Sequence, residues 1–357
     1  MTHLEKLQKR IKESSADAVL LTSEINQYYI SGLDYTDGYV LVGADRAFLL
    51  ADFRYIEIAR MTASQDFNVV MPTPSMSTGL AEIISENGFK TIAVEDATLP
   101  CASFENLRKK ISDVEFVTGA SGLLDSLREI KDETEIAAMA KAQNIADFAF
   151  THILDFINYD RTEIEIALEL EFFMRSHGAK STSFDTIAVS GTASSLPHGV
   201  PRNVKLEKGF LTMDFGARVD GYCSDMTRTV VIGHADEEMK RLYATVKEAQ
   251  RRALEFIRPG VLCRDADAIA RNYIDECGYS GLFGHSLGHG VGMYIHENPR
   301  LSQSVSPEAV LVSGQVVTDE PGIYIAGKYG CRIEDMVLVT DDGIMNFATS
   351  TKELIEI

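Results

Sequence analysis

The sequence predicts an α+β protein: a large domain with a curved antiparallel sheet covered by helices, preceded by a smaller α/β domain. Three observations carry that expectation. Helix-like and strand-like patterns alternate over residues 1–122, as in a partly parallel sheet flanked by helices. From residue 124 the order becomes helices, a β-hairpin, more helices and two further β segments. The length of 357 residues exceeds what one core usually holds, which favours two domains, 1–122 and 124–357.

In the first domain, Leu4, Leu7 and Ile11 recur at helical spacing, and the apolar run 18–22 follows as a short buried strand. Residues 39–42 and 47–51 give two more strands. Helical patterning returns at 55–61 and 80–87, with strands near 67–71 and 91–95. Asp52, where a strand leads into a helix, reads as a helix cap. No chemistry is expected here.

In the second domain, Asp132 caps a long amphipathic helix over 133–156. Thr162 and Glu165 form a capping-box pattern for another helix, ended by Gly178. His152 and His177 lie on these helices and are given no role. Residues 183–191 read as a strand, and a Pro/Gly-bounded loop carrying His198 follows. Residues 237–258 and 263–277 alternate apolar and charged faces, as helices between core and solvent do.

Composition narrows the classes. Hydrophobic residues make up 45% and charged residues 24%, as in a soluble globular protein. The net charge of −19 argues against nucleic acid as a partner. Five cysteines, odd in number and without a CxxC pair, fit a reducing compartment, so a cytoplasmic protein is expected. The N-terminal stretch is charged throughout and is not a signal peptide. No apolar run approaches a membrane span.

The chemistry starts at residues 210–232, FLTMDFGARVDGYCSDMTRTVVI, which read as a hairpin with one acid per arm, Asp214 and Asp225. Alternation with period two lets both carboxylates face one side of the sheet. Converging acids must share a proton or hold a cation. The competing reading is one turn acid and one exposed strand acid. Downstream, HSLGHGVGMYIH places His285, His289 and His296 in one Gly-rich segment. VVTDEPGIY and GCRIEDMVLV then form a second pair of arms, carrying Glu320 and Glu334. Two Asp, two Glu and one His suit a two-metal hydrolytic site. Four carboxylates contribute about −4, which two divalent ions neutralise, and an oxygen-rich set favours Mn²⁺. Water between two such ions becomes a hydroxide nucleophile near neutral pH.

These segments resemble the metallopeptidase family with the "pita-bread" fold, and within it the Xaa-Pro branch of aminopeptidase P and prolidase. The matching motifs are DFG…GYCSDMTRT, HSLGHGVG…H, TDEPGIY and RIEDMVLVT, with LPHGVP upstream. The segment ADFRY at 51–55 is similar to a signature of the creatinase-type N-terminal domain. The resemblance implies Asp214, Asp225, His289, Glu320 and Glu334 as ligands of two divalent ions, most readily Mn²⁺, with Co²⁺ or Zn²⁺ possible. Asp225 and Glu334 would bridge, and Glu320 would also act as general base. It further implies that His198, His285 and His296 line the pocket, and that the protein is a homodimer.

Seven residues separate His289 from His296, an odd offset that turns them to opposite faces of a regular strand. Only loop or bulge geometry lets both reach one pocket. Arg332 shares a face with Glu334 and would orient the acids or hold a substrate carboxylate. Tyr324 is a weaker candidate, equally readable as a packed aromatic. Asp319 departs from the family pattern, which has an uncharged residue there. Alternation turns it away from Glu320. The expected activity is removal of the residue before proline, leaning to an aminopeptidase on longer peptides, with an Xaa-Pro dipeptidase as the alternative. A non-catalytic binding protein of the same fold is the remote rival. Free peptides with proline second would be the partners.

Overall fold

The computed structural model describes residues 1–35 and 37–357, and the chain divides into two compact units, 1–128 and 129–357. The boundary expected at 122–124 falls inside a helix. That helix stays with the first unit because its far end is tied there: the Tyr29 hydroxyl donates to the Leu127 carbonyl and the buried Arg128 donates to Asn26.

The first unit runs α1 (His3–Lys12), β1 (Ala18–Leu21), α2 (Glu24–Ser31), β2 (Gly38–Gly43), β3 (Ala47–Ala51), α3 (Ile56–Thr62), β4 (Phe67–Val70), α4 (Met76–Glu86), β5 (Thr91–Val94), α5 (Cys101–Lys110), β6 (Glu115–Val117) and α6 (Ala120–Arg128). Its sheet has the order β4-β3-β2-β1-β5-β6, parallel except for the β1–β2 and β2–β3 pairs. The expected partly parallel sheet is therefore present. Leu20, Leu41, Leu50, Leu80 and Ile92 pack its core with no exposure, each contributing roughly 1.5–3 kcal/mol by burial. Asp52 is not a helix cap: its carboxylate accepts from the Arg54 backbone and guanidinium in the turn before α3.

The second unit opens with α7 (Glu133–Phe156) and α8 (Glu163–Ser176); Asp132 caps α7 as expected and forms a capping box with Glu135, and α8 starts with the expected box of Thr162 and Glu165. There follow β7 (Ser181–Thr182), β8 (Ile187–Ser190), β9 (Gly209–Phe215), β10 (Ala217–Val219), β11 (Tyr222–Cys223) and β12 (Met226–Ile232). Then come α9 (Glu237–Phe256), α10 (Cys263–Ile274), β13 (Gly288–Gly290), β14 (Glu297–Leu301), β15 (Val316–Asp319), β16 (Gly322–Ile325), β17 (Tyr329–Arg332), β18 (Asp335–Val339) and β19 (Ile344–Asn346). A helix pair followed by a broken hairpin thus occurs twice.

Alternation along β9 and β12 puts side chains into two cores. Phe210 and Val231 face the cluster that contains Leu242 and Val246 of α9. Leu211, Met213 and Val230 face the one containing Phe150 of α7 and Leu170 of α8. Each hairpin breaks midway and changes sheets. In the first, β9 pairs with β12 and the tip continues as β10 and β11. In the second, β15 pairs with β18 and the tip continues as β16 and β17. Gly216 permits the first break, since a Cβ there would overlap the Ser224 carbonyl. The breaks place ligand candidates: Asp225 lies between β11 and β12, Glu320 between β15 and β16, and Glu334 between β17 and β18.

Candidate metal centre

The residues singled out in the sequence line one cavity of about 430 Å³: Asp214, Asp225, His289, Glu320 and Glu334, with His198, His285, His296 and Arg332 around them. Tyr324 sits behind this wall, and Asp319 does not line it.

The carboxylates and imidazole converge as ligands do. His289 Nε2 is 3.6 Å from Asp225 Oδ2 and 3.4 Å from Glu320 Oε1. Two donors about 2.1 Å from one ion at tetrahedral angles lie roughly 3.4 Å apart. Asp225, His289 and Glu334 each offer a ligand atom within 4.8 Å of the others. The Nδ1 of His289 lies 3.1 Å from the Gly290 carbonyl, to which it can only donate. Its Nε2 therefore carries the lone pair that faces the acids. Burial drives the His289 pKa down to about 3 and that of His285 to about 4, so both imidazoles are neutral at physiological pH.

Uncompensated, the acids are costly. Burial, then the charge of Glu334, raises Asp225 well above the usual carboxylate range; burial, then Glu320, does the same to Glu334. Burial pushes Glu320 up to about 8, with Arg332 partly opposing. Asp214 Oδ1 is buried without a hydrogen-bond partner among the described residues, while Oδ2 accepts from Arg332 at 2.7 Å. Two buried carboxylates, Asp225 and Glu334, and two half-buried ones, Asp214 and Glu320, gathered on one cavity fit divalent cations.

The bulge needed to bring His296 to the site is present. The β13–β14 register shifts at His289/Gly290, and the rings of His289 and His296 meet edge to face, 4.4 Å between centroids. Glu297 forms a buried ion pair with Lys131 at 3.3 Å and accepts from the Tyr294 backbone at 3.0 Å, which fixes the loop before it.

Two expected roles change. Arg332 is committed to the protein: Nε donates to Thr227, one terminal nitrogen to Tyr324 and the Pro197 carbonyl, the other to Asp214. It orients an acid and has little left to hold a substrate carboxylate. His285 also has both ring nitrogens engaged. Its Nδ1 faces the Ser286 carbonyl at 2.9 Å and its Nε2 meets the Tyr324 hydroxyl at 3.1 Å. Since Arg332 donates to that hydroxyl, its proton goes to His285. Tyr324 is thus a polar link as well as a packed aromatic. His198 and His296 have no hydrogen-bond partner among the described residues and face the cavity free.

Sequence reasoning missed Arg300. It lines the cavity on β14, register-paired with His289, exposed and without a carboxylate partner among the described residues. A cation four residues after His296 was the available signal. Phe184, Ile187 and Ile295, which give the cavity its apolar wall, were also missed.

Asp319 is turned away from the metal cluster, as alternation requires. It stands opposite Asp335 across β15 and β18.

Comparison with known proteins agrees with this geometry. Residues 3–130 match the creatinase/prolidase N-terminal domain. A curated relative named Xaa-Pro dipeptidase, from Pyrococcus horikoshii, is 39% identical over 98% of this chain and 99% of its own. A solved structure described as an Xaa-Pro dipeptidase from Bacillus anthracis is 43% identical, with a TM-score of 0.95 over 99% of both chains. An X-Pro aminopeptidase structure from Thermotoga maritima is 33% identical, with a TM-score of 0.91, and covers 98% of this chain and all of its own. The catalytic signature itself spans residues 137–341, and by that match the chain belongs to metallopeptidase family M24.

Proposed function

We propose that this protein is an Xaa-Pro dipeptidase, which reverses the leaning towards longer peptides. The observation that carries the choice is Arg300, an uncommitted guanidinium beside a cluster of five metal-ligand candidates. A dipeptide brings a carboxylate within a few ångströms of its scissile bond, and a planar fork suits it. The relatives named as dipeptidases support the same choice.

Asp214, Asp225, His289, Glu320 and Glu334 would hold two divalent cations, with Mn²⁺ the first candidate and Co²⁺ or Zn²⁺ as substitutes. When bound, such ions acidify a water molecule and polarise a carbonyl. The side chains supply the rest. Glu320 accepts the proton of the attacking water and returns it to the proline nitrogen as the bond breaks. His198 and His296, with ring nitrogens unengaged, donate to the carbonyl oxygen as it gains charge. Phe184, Ile187 and Ile295 give apolar contact to a substrate side chain, and Arg300 fixes the carboxylate. Proline lacks an amide N–H, so the scissile bond of an Xaa-Pro substrate asks the cavity for no acceptor. A homodimer in the cytoplasm is part of this reading.

The test compares Xaa-Pro with Xaa-Pro-Xaa-Xaa at equal concentration in Mn²⁺-loaded protein. The dipeptide should turn over faster, and Arg300→Met should raise its KM by roughly 10–100-fold, the worth of a charge-assisted bond. Faster cleavage of the tetrapeptide would restore the aminopeptidase reading. Preference for Xaa-Ala would overturn the proline specificity.

A further inference from the structure

A hydroxyl placed between an obligate donor and a carboxylate has one satisfying way to direct its hydrogen. Thr227 is in that position. It is fully buried on β12 and does not line the cavity. Its Oγ1 lies 2.9 Å from Arg332 Nε, which can only donate, and 2.7 Å from Glu334 Oε2. The guanidinium occupies a lone pair, so the threonine proton goes to the carboxylate. The backbone repeats the link, since Glu334 N–H donates to the Thr227 carbonyl at 3.1 Å.

The geometry assigns Thr227 as the positioning residue of Glu334: its donor-locked hydroxyl pins Oε2 and so fixes the orientation of a carboxylate that would hold the cations. The effect passes through Glu334, because Thr227 reaches neither cavity nor substrate. The strand order explains why one residue serves both hairpins. Thr227 is register-paired with Asp214, whose Oδ2 is held by the same guanidinium. One threonine and one arginine thereby fix one oxygen of an acid from each hairpin. A related arrangement acts within the second hairpin: Thr318 accepts from the His289 backbone at 3.1 Å and reaches Glu320 Oε1 at 3.3 Å. Its longer donation predicts a smaller effect.

The inference rests on the two-cation reading, and metal titration separates the two. Mn²⁺ is titrated into chelator-stripped parent protein, Thr227→Val, Thr227→Ser and Thr227→Ala, and kcat and KM are measured on the loaded forms. Thr227→Val keeps the shape and removes the hydroxyl. It should weaken at least one cation by roughly 10–100-fold, the usual worth of an outer partner of a ligand, and lower kcat with KM little changed. Thr227→Ser should recover both to within about threefold. If valine prevents folding, serine against alanine reads the same hydroxyl. Parent-like Mn²⁺ affinity in the valine variant, or in the alanine variant, overturns the assignment. So does a serine variant as impaired as either, which would make the methyl group the important part. A parent protein that binds no Mn²⁺ would instead overturn the cation reading, and this inference with it.

Discussion

The two broken hairpins of the second unit do the same work with different chemistry. In the first, Asp214 and Asp225 reach the cavity on short side chains, one from within β9 and one from a break. In the second, Glu320 and Glu334 reach it on longer ones, both from breaks. Neither hairpin secures its own acids alone. Arg332 of the second holds Asp214 of the first, and Thr227 of the first holds Glu334 of the second. Arg228 of the first donates to the Glu334 carbonyl at 2.6 Å. The centre is therefore a property of the pair.

The hairpins differ behind the site. Only the second faces two acids across its strands, and their surroundings are opposite. Asp335 accepts from Arg228, Lys352, Gln250 and Asn346. Against the burial that would raise it, Arg228 and Lys352 hold its pKa at about 2. Asp319, across from it, has no hydrogen-bond partner on either oxygen among the described residues, and burial followed by the charge of Asp335 raises it well above the carboxylate range. Burial alone does not decide the state of an acid; the donors within reach do.

The reciprocal hold is broken most severely at its shared ligands. Asp225→Asn and Glu334→Gln, one from each hairpin, should each abolish turnover and lower the metal content of the purified protein. Measurable activity with two ions bound in either variant would remove that residue from the ligand set. Arg332→Met releases Asp214 and should cost about 100-fold in kcat/KM, with weaker metal binding, as loss of an orienting partner does. A variant that loses only affinity for the dipeptide would return Arg332 to the role of substrate clamp.

The contrast between the two buried aspartates is sharpened by charge removal in chelator-treated protein. Asp335→Asn leaves Arg228 buried without its counter-charge and should destabilise by about 3 kcal/mol in urea unfolding near neutral pH. The Asp335 contribution is present above its unfolded pKa of about 3.9 and is lost as pH falls towards 2. Asp319→Asn should act in the opposite direction and more weakly. Its folded pKa is raised, so the acid costs nothing below about pH 4 and costs more as pH rises towards the folded value. The variant should melt higher than the parent at pH 8 and level with it near pH 4. A lower melting temperature at pH 8 would mean that the ionised Asp319 has a partner.

Most of the site was legible because acids are expensive in strands. Asp214, Asp225, Glu320 and Glu334 stood among apolar neighbours, where an unpaired charge is costly, and the family resemblance placed His289 with them. A cap at Asp132 announced α7, and the capping box of Thr162 and Glu165 announced α8, for a similar local reason. The bulge at His289 was legible only as a requirement, since the odd offset to His296 demanded an irregularity without locating it.

Local patterns determined which residues carry the chemistry and which elements hold them. They did not determine which polar groups are spent on the protein and which are left for a substrate. Arg332 and Arg300 look alike in sequence, each near a candidate ligand, yet one is bound by Asp214 across 118 positions of chain and the other has no carboxylate partner among the described residues. Thr227 looked like any β-branched strand residue until Glu334, 107 positions away, came within 2.7 Å. A hydrogen bond exists only at the right distance and angle. Between segments so far apart, both are fixed by how the two hairpins pack, which only the tertiary structure decides.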